Sequence, residues 1–188
     1  QYGKGMWSVP RKLALKKVGS RYFLTQQPIE ALRQLRGKQV SANYKLPLGS
    51  ARLKCASPKS NVYEMDVTFS ALQSNVFGLN LCSGHGRKVT ISYDTDSHNL
   101  VIDRTHCADV DIPKFDRMAH AQVLPQNGKL RMHIFVDKSS VEIFCNDGQD
   151  VFTLQTFPSE DQIGIETFSQ KSVTNMELKW WPLQAIWK

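Results

Sequence analysis

From residue 38 onward the sequence alternates, and its alternating runs are separated by turn-forming residues. "NVYEMDVTFSAL" sets Val62, Glu64, Asp66 and Thr68 against Tyr63, Met65, Val67 and Phe69, the period of a half-buried strand. "VFGLNLCS" and "KVTISYDTDSHNLVIDRT" repeat the signal, the second with "DTDSHN" as turn material between two runs rich in β-branched residues. "LRMHIFVDKSSVEIFCNDGQDVFTLQTFP" carries three more runs, and "QIGIETFS" and "VTNMELKWWPL" close the chain. A helix buries a stripe that recurs every 3.6 residues, so it cannot use a period of two. Short strands at regular spacing predict an all-β, antiparallel sandwich or barrel.

The densest turn chemistry lies between Ile134 and Leu154. Asp137-Lys138-Ser139-Ser140 predicts a tight connection from Ile134–Val136 to Val141–Phe144. Asn146-Asp147-Gly148 tolerates positive φ and turns the chain again. The result is a three-strand meander with Asp137, Ser139, Glu142, Asn146 and Gly148 as its structural residues. Turn geometry pins the register, and a slip of one residue would invert the buried face.

Before residue 38 the pattern differs. Residues 1–27 read as a lead-in segment between domains followed by a first strand, Arg21 to Thr25. Residues 28–37 read as a short helix or linker: Pro28 suits a first helical position, Ile29, Leu32 and Leu35 recur every three residues, and Gly37 suits the stop. Residues 38–188 are the sandwich, so the whole chain is one domain, and 188 residues suffice for one core.

Composition is ordinary for a globular chain, 41% hydrophobic and 22% charged, and no apolar run approaches the roughly 20 residues of a membrane span. The chain opens on Gln1 with neither an initiator Met nor a leader-like segment, which reads as a processed chain or a piece of a longer one. The net charge of +7 is uneven: residues 1–54 hold twelve Lys/Arg and one acid, the remainder twelve Lys/Arg and sixteen acids. The basic third is a solvated face or meets an acidic partner domain. No recognition helix or aromatic-rich basic sheet points to nucleic acid. Cys55, Cys82, Cys107 and Cys145 form no Cys-x-x-Cys pair, so buried free thiols are favoured over a metal site, and one disulfide stays open.

Few residues offer chemistry. Asp137 and Glu142 could lie close enough for glycosidic acid–base work, but an Asp at a turn caps backbone amides and Glu142 alternates with Val141 and Ile143, so both read as structural. Ser139 would need a histidine and an orienting group, which the sequence does not place beside it. No phosphate-cradling glycine loop is present, and no cofactor or metal is expected. Asp103-Arg104 is an ion pair at a strand end or a contact to a neighbouring domain. Trp7, Trp180, Trp181 and Trp187 cluster at the chain ends. Trp180 and Trp181, on opposite faces of one strand, either stack on sugar rings or pack internally.

Four stretches in order, "GMWSVPRKLAL", "LTQQPIEALRQLR", "LVIDRT" and the meander, resemble the C-terminal β-sandwich module of glycoside hydrolase family 32, the family of invertases, levanases and inulinases. The resemblance covers nearly the whole chain. It is most specific at Asp137, Ser139, Ser140, Val141, Glu142 and Phe144, and in "WSVPRKL" at the family's domain junction (Trp7, Pro10, Arg11, Leu13). It implies a two-sheet antiparallel β-sandwich of the concanavalin A/galectin-like jelly-roll kind with one short helix near the N-terminus. It also implies interdomain contacts at Trp7, Pro10, Arg11, Asp103 and Arg104. The family's catalysis resides in an N-terminal five-bladed propeller, in Trp-x-Asn-Asp-Pro-Asn-Gly, Arg-Asp-Pro and Glu-Cys motifs, none of which occurs here.

The resemblance therefore implies no catalytic residue in this chain. It implies a propeller partner in the same polypeptide, and a secreted or periplasmic parent that cleaves fructan or sucrose with retention through a covalent fructosyl-enzyme. After Asp103-Arg104-Thr105 the chain has His106-Cys107-Ala108, where family members often have Ser-Gly, which weakens any ligand contact assigned to that loop. The alternatives are a module that binds fructans or other glycans itself, and an assembly role.

Overall fold

The computed structural model describes residues 6–46, 53–56, 58–73, 75–108, 116–171 and 174–186, with Val18 and residues 53–56 as backbone only. Cys55's thiol and Trp187 thus lie outside the described residues. The chain opens with a hairpin, β1 (Arg11–Val18) and β2 (Arg21–Pro28), turned at Gly19 with φ +61°. The remaining strands form two six-stranded antiparallel sheets, the expected sandwich.

The first sheet contains β3 (Val40–Leu46), β5 (Tyr63–Ser70), β10 (Leu130–Asp137), β11 (Ser140–Cys145), β12 (Asp150–Gln155) and β14 (Thr174–Pro182), in the order β12-β11-β10-β5-β14-β3. The second contains β4 (Leu53–Ala56), β6 (Val76–Gly84), β7 (Arg87–Asp94), β8 (Asn99–Asp103), β9 (Met118–Gln122) and β13 (Gly164–Ser169), in the order β4-β13-β6-β7-β8-β9.

The alternation chooses which face each sheet buries. Tyr63, Met65, Val67 and Phe69 of β5 and Leu130, Met132, Ile134 and Val136 of β10 face the second sheet and are fully covered. Across the interior, Phe69 of β5 meets Phe77 of β6 at 4.6 Å between ring centroids, and Phe77 meets Tyr93 of β7 at 5.6 Å. Cys82, Cys107 and Cys145 are free and buried, and burial pushes the Cys82 thiol up to about 12.

Two features of residues 6–40 add to the expectation. The lead-in segment carries a second strand, β1, paired along its length with β2. The expected helix over 28–37 is a 3-10 helix of six residues, Glu30–Leu35, and Pro28 ends β2. Its ends are pinned: Ile29 N–H donates to the Pro10 carbonyl at 3.1 Å, and Gly37 N–H donates to the Pro182 carbonyl at 2.7 Å. Ile29 and Arg36 flank it in extended conformation, without a side-chain cap. So short a segment has little helical stability of its own, and the anchors set its shape.

The turn between β11 and β12 holds the hairpin. Asn146, Asp147 and Gly148 have φ of 46°, 62° and 79°, as the turn chemistry requires. Gln26 N–H donates to the Gly148 carbonyl at 2.8 Å, and a Cβ on Gly148 would lie 1.9 Å from the Gln26 carbonyl oxygen. Gly148→Ala should therefore cost about 2 kcal/mol or more, through backbone strain and displacement of β2. Gly19→Ala, with nothing within 4 Å of its Cβ, should cost only local strain. Urea unfolding and hydrogen exchange at the Gln26 amide check this; equal behaviour of the two variants would refute it.

Candidate functional site

The outer face of the first sheet should be polar and wet by the alternation. Two carboxylates there are instead buried. Glu142 on β11 is 2% exposed. Its Oε1 accepts the Val9 backbone N–H at 2.6 Å, and its Oε2 accepts Arg11 Nη2 at 2.5 Å. Arg11 also donates to Gln26 Oε1 at 3.0 Å and to Thr153 Oγ1 on β12, and its guanidinium lies 5.1 Å from the Phe144 ring centroid. With both oxygens occupied, Glu142 has no open position toward a glycosidic bond. Asp137, exposed at the end of β10, accepts the Lys138 N–H at 2.7 Å.

The second carboxylate, Glu64 on β5, is 1% exposed. Arg36 grips it with Nε at 2.7 Å and Nη2 at 2.5 Å, and His133 Nε2 of β10 lies 2.6 Å from Oε1. Burial pushes the Glu64 carboxyl up, but hydrogen bonds from Arg36 and His133 and their charges outweigh it and bring it down to about 2. An ionised carboxylate only accepts, so His133 Nε2 is the donor. The same Arg36 lies 3.9 Å over the Trp181 ring.

Beside this network a groove of about 420 Å³ runs over the outer face of β11, β10, β5 and β14, bordered by the 3-10 helix and the 147–148 turn. His133 and Asp66 line its floor, with side chains 28% and 47% exposed.

The sequence-predicted residues are placed as follows. Arg11 joins Glu142, and Asn146 and Gly148 build the turn that carries β2. Ser139 sits in the two-residue turn between β10 and β11, its carbonyl accepting the Thr156 N–H at 2.9 Å. Trp7 is 98% exposed. Asp103 accepts the Thr105 N–H at 2.8 Å.

Arg104, expected at a domain contact, is buried. It donates to the Gln155 carbonyl at 2.8 Å and to the Asp116 carbonyl, tying the end of β8 to the end of β12. Trp181, expected as a stacking platform, is 6% exposed with Arg36 over its face; Trp180 is half-buried and meets Tyr63 edge-on at 6.4 Å. Trp181 therefore offers no open face to a sugar. Sequence reasoning missed Arg36, Glu64 and His133. Their only signal is a carboxylate at an alternating position, and its partners depend on a register and a covering segment that lie outside the strand.

Fold and site together define a β-sandwich module whose outer sheet face receives its own N-terminal segment through two Arg–Glu pairs. The profile described as "Glycosyl hydrolases family 32 C terminal" matches residues 29–182, and the chain belongs to that family. An extracellular exo-inulinase of Aspergillus awamori is 32% identical over 83% of this chain and 30% of its own length. A levanase of Bacillus sp. (strain L7) is 28% identical over 98% of this chain and 21% of its own length. The crystal structure of the A. awamori exo-inulinase superposes with a TM-score of 0.85 at 28% identity, over 96% of this chain and 36% of that one. The chain thus spans about a fifth to a third of the length of these curated relatives.

Because folding lowers the Glu64 carboxyl from its ordinary 4.5 to about 2, the stabilisation is fully present above about pH 4.5 and is lost as pH falls through about 2. Acid should therefore remove about 3 kcal/mol from this site. Glu64→Gln should cost a similar amount at neutral pH, by leaving Arg36 without its counter-charge, and should flatten the acid limb. Thermal melts from pH 6 to pH 2 check this; parallel profiles for the two proteins would exclude Glu64 as the source.

Proposed function

We propose that the chain is a non-catalytic ancillary domain of a fructan- or sucrose-cleaving glycosidase, docked on a catalytic domain of the same polypeptide. One observation carries the reading. On one face of the β1–β2 hairpin, Leu13, Leu15, Tyr22 and Leu24 are 61%, 71%, 64% and 52% exposed. Leu15 and Leu24 are direct cross-strand partners. A two-stranded hairpin is marginal in water by itself, and a contiguous apolar face on it marks a contact surface. Trp7 stands exposed just before the same strand.

Lys17, its ammonium over the Tyr22 ring, shares this face, and Lys12, Lys16 and Arg21 are exposed on the opposite one, so the hairpin as a whole carries a positive field that favours an acidic partner. The names of the relatives support the substrate class, and those described as extracellular support secretion of the parent. No described helix is long and apolar enough to cross a membrane.

The purified chain should hydrolyse none of sucrose, inulin and levan, and should bind the separately expressed catalytic portion of its parent more weakly as salt rises. Leu15→Asp and Leu24→Asp should each weaken that binding by about tenfold or more, with little change in the chain's own melting, since both positions are exposed. Hydrolysis by the chain alone, or association indifferent to both substitutions, would overturn the reading.

A further inference from the structure

The floor of the groove is built from two cross-strand rows. Phe144, His133, Asp66 and Lys179 are successive neighbours across β11, β10, β5 and β14. Arg131, Thr68 and Glu177 make the adjacent row. Donors and acceptors therefore alternate across the sheet. Asp66 and Lys179 stand directly opposite each other, a position where opposite charges ordinarily pair. Among the described residues they form no ion pair. Among the described residues Asp66 has the 3.9 Å approach of His133 and the more distant charge of Arg36, and the side chains of Arg131, Glu177 and Lys179 have no hydrogen-bond or ionic partner. The groove thus keeps open hydrogen-bonding capacity of both kinds.

His133 is the ordered member of the floor. Its Nε2 is committed to buried Glu64, and its partly exposed ring lies 4.9 Å from that of Phe135, its neighbour on the same face of β10. With Nε2 donating to Glu64, Nδ1 remains to face a ligand. The buried ion pair therefore sets the orientation of a groove-lining ring, as a supporting shell does in a binding site.

Charge selects the ligand class. Four cations and five carboxylates line the groove, so an anion or a cation would meet nearly as much repulsion as attraction. A neutral chain of hydroxyls meets no such conflict, because each hydroxyl both donates and accepts. The volume of about 420 Å³ falls in the range of small-ligand sites. Three strand spacings, about 14 Å, give it the reach of a short oligosaccharide rather than a single sugar.

We propose that this groove, and not the tryptophans of β14, is a binding site for a neutral oligosaccharide, held by Asp66, His133 and Lys179. A fructan as the natural ligand rests on the function proposed above; recognition of a neutral polyol chain does not.

Calorimetric titration of the chain with inulin-type and levan-type fructo-oligosaccharides, with maltoheptaose, and with a sulfated polysaccharide tests it. Saturable binding of a neutral oligosaccharide is expected, and it should weaken about tenfold or more in Asp66→Ala and in Lys179→Ala. Both side chains are solvent-exposed, so both variants should fold, and circular dichroism melts verify that. Amide shifts in a nuclear magnetic resonance titration should fall on β5, β10 and β14. Preference for fructan over maltoheptaose would name the source, and equal binding would make the groove a general glycan site.

Three results would overturn the proposal: no saturable heat from any neutral oligosaccharide with folded chain, binding indifferent to both substitutions, or tighter capture of the polyanion. The hairpin substitutions Leu15→Asp and Leu24→Asp should leave sugar binding unchanged. A wild-type chain that binds sugar but does not dock would thus fail the function above alone, and one that docks but shows no saturable sugar binding would fail this inference alone.

Discussion

Glu142 and Glu64 project from the solvent side of their strands and are nonetheless almost inaccessible, because the segment from Val9 to Arg36 lies over them. A buried carboxylate is costly unless its oxygens are matched by donors, and each of these is matched by an arginine from that segment, Arg11 in one case and Arg36 in the other. The rest of the N-terminal geometry depends on these two attachments. Val9 and Arg11 fix where β1 begins. Arg36 fixes where the 3-10 helix ends and seals Trp181 beneath its guanidinium. Between them the β1–β2 hairpin is closed by its own ladder and by the Gln26–Gly148 contact.

Such pairs are poor sources of net stability. Apolar residues of equal volume would hold the segment comparably, since desolvation offsets most of the attraction between the charges. A bidentate arginine on a fixed carboxylate does impose one register and one direction of approach. An apolar patch would let the segment slide. For a hairpin that offers an apolar face to a partner, position is the property that matters, and the polar attachment fits that need.

The strands were legible because their alternation is local: Tyr63, Met65, Val67 and Phe69 announce the buried face of β5 without knowledge of its neighbours. The turn at Asn146-Asp147-Gly148 was legible because positive φ restricts residue type. The site was not. In "YEMD" the glutamate has the signature of a wet strand position, and nothing nearby in sequence reveals that Arg36 covers it or that His133, in register through Phe135 and Asp66, completes it. The place of Arg104 was illegible for the same reason: its carbonyl partner on Gln155 is 51 residues away. The short helix expected over 28–37 is present as a 3-10 helix: its spacing of three suits a 3-10 turn as well as an α-helix, and the anchors at Pro10 and Pro182 decide between them.

The uneven charge of the sequence takes on meaning in this arrangement. Of the cations in the basic first third, Arg11 and Arg36 are internal, while Lys12, Lys16, Lys17 and Arg21 remain exposed on the hairpin. The charged groups on the sheet behind are near balance, with Asp66 and Lys179 standing side by side without pairing to each other. A one-signed hairpin with an apolar face suits a large complementary surface, whose approach long-range attraction assists. A balanced, unpaired groove suits a small neutral ligand, which long-range fields do not guide and which short hydrogen bonds must hold. The two surfaces obey different physical requirements, and the two buried carboxylates hold them in fixed relation: Glu142 anchors the hairpin that carries the first, and Glu64 orients the imidazole at the centre of the second.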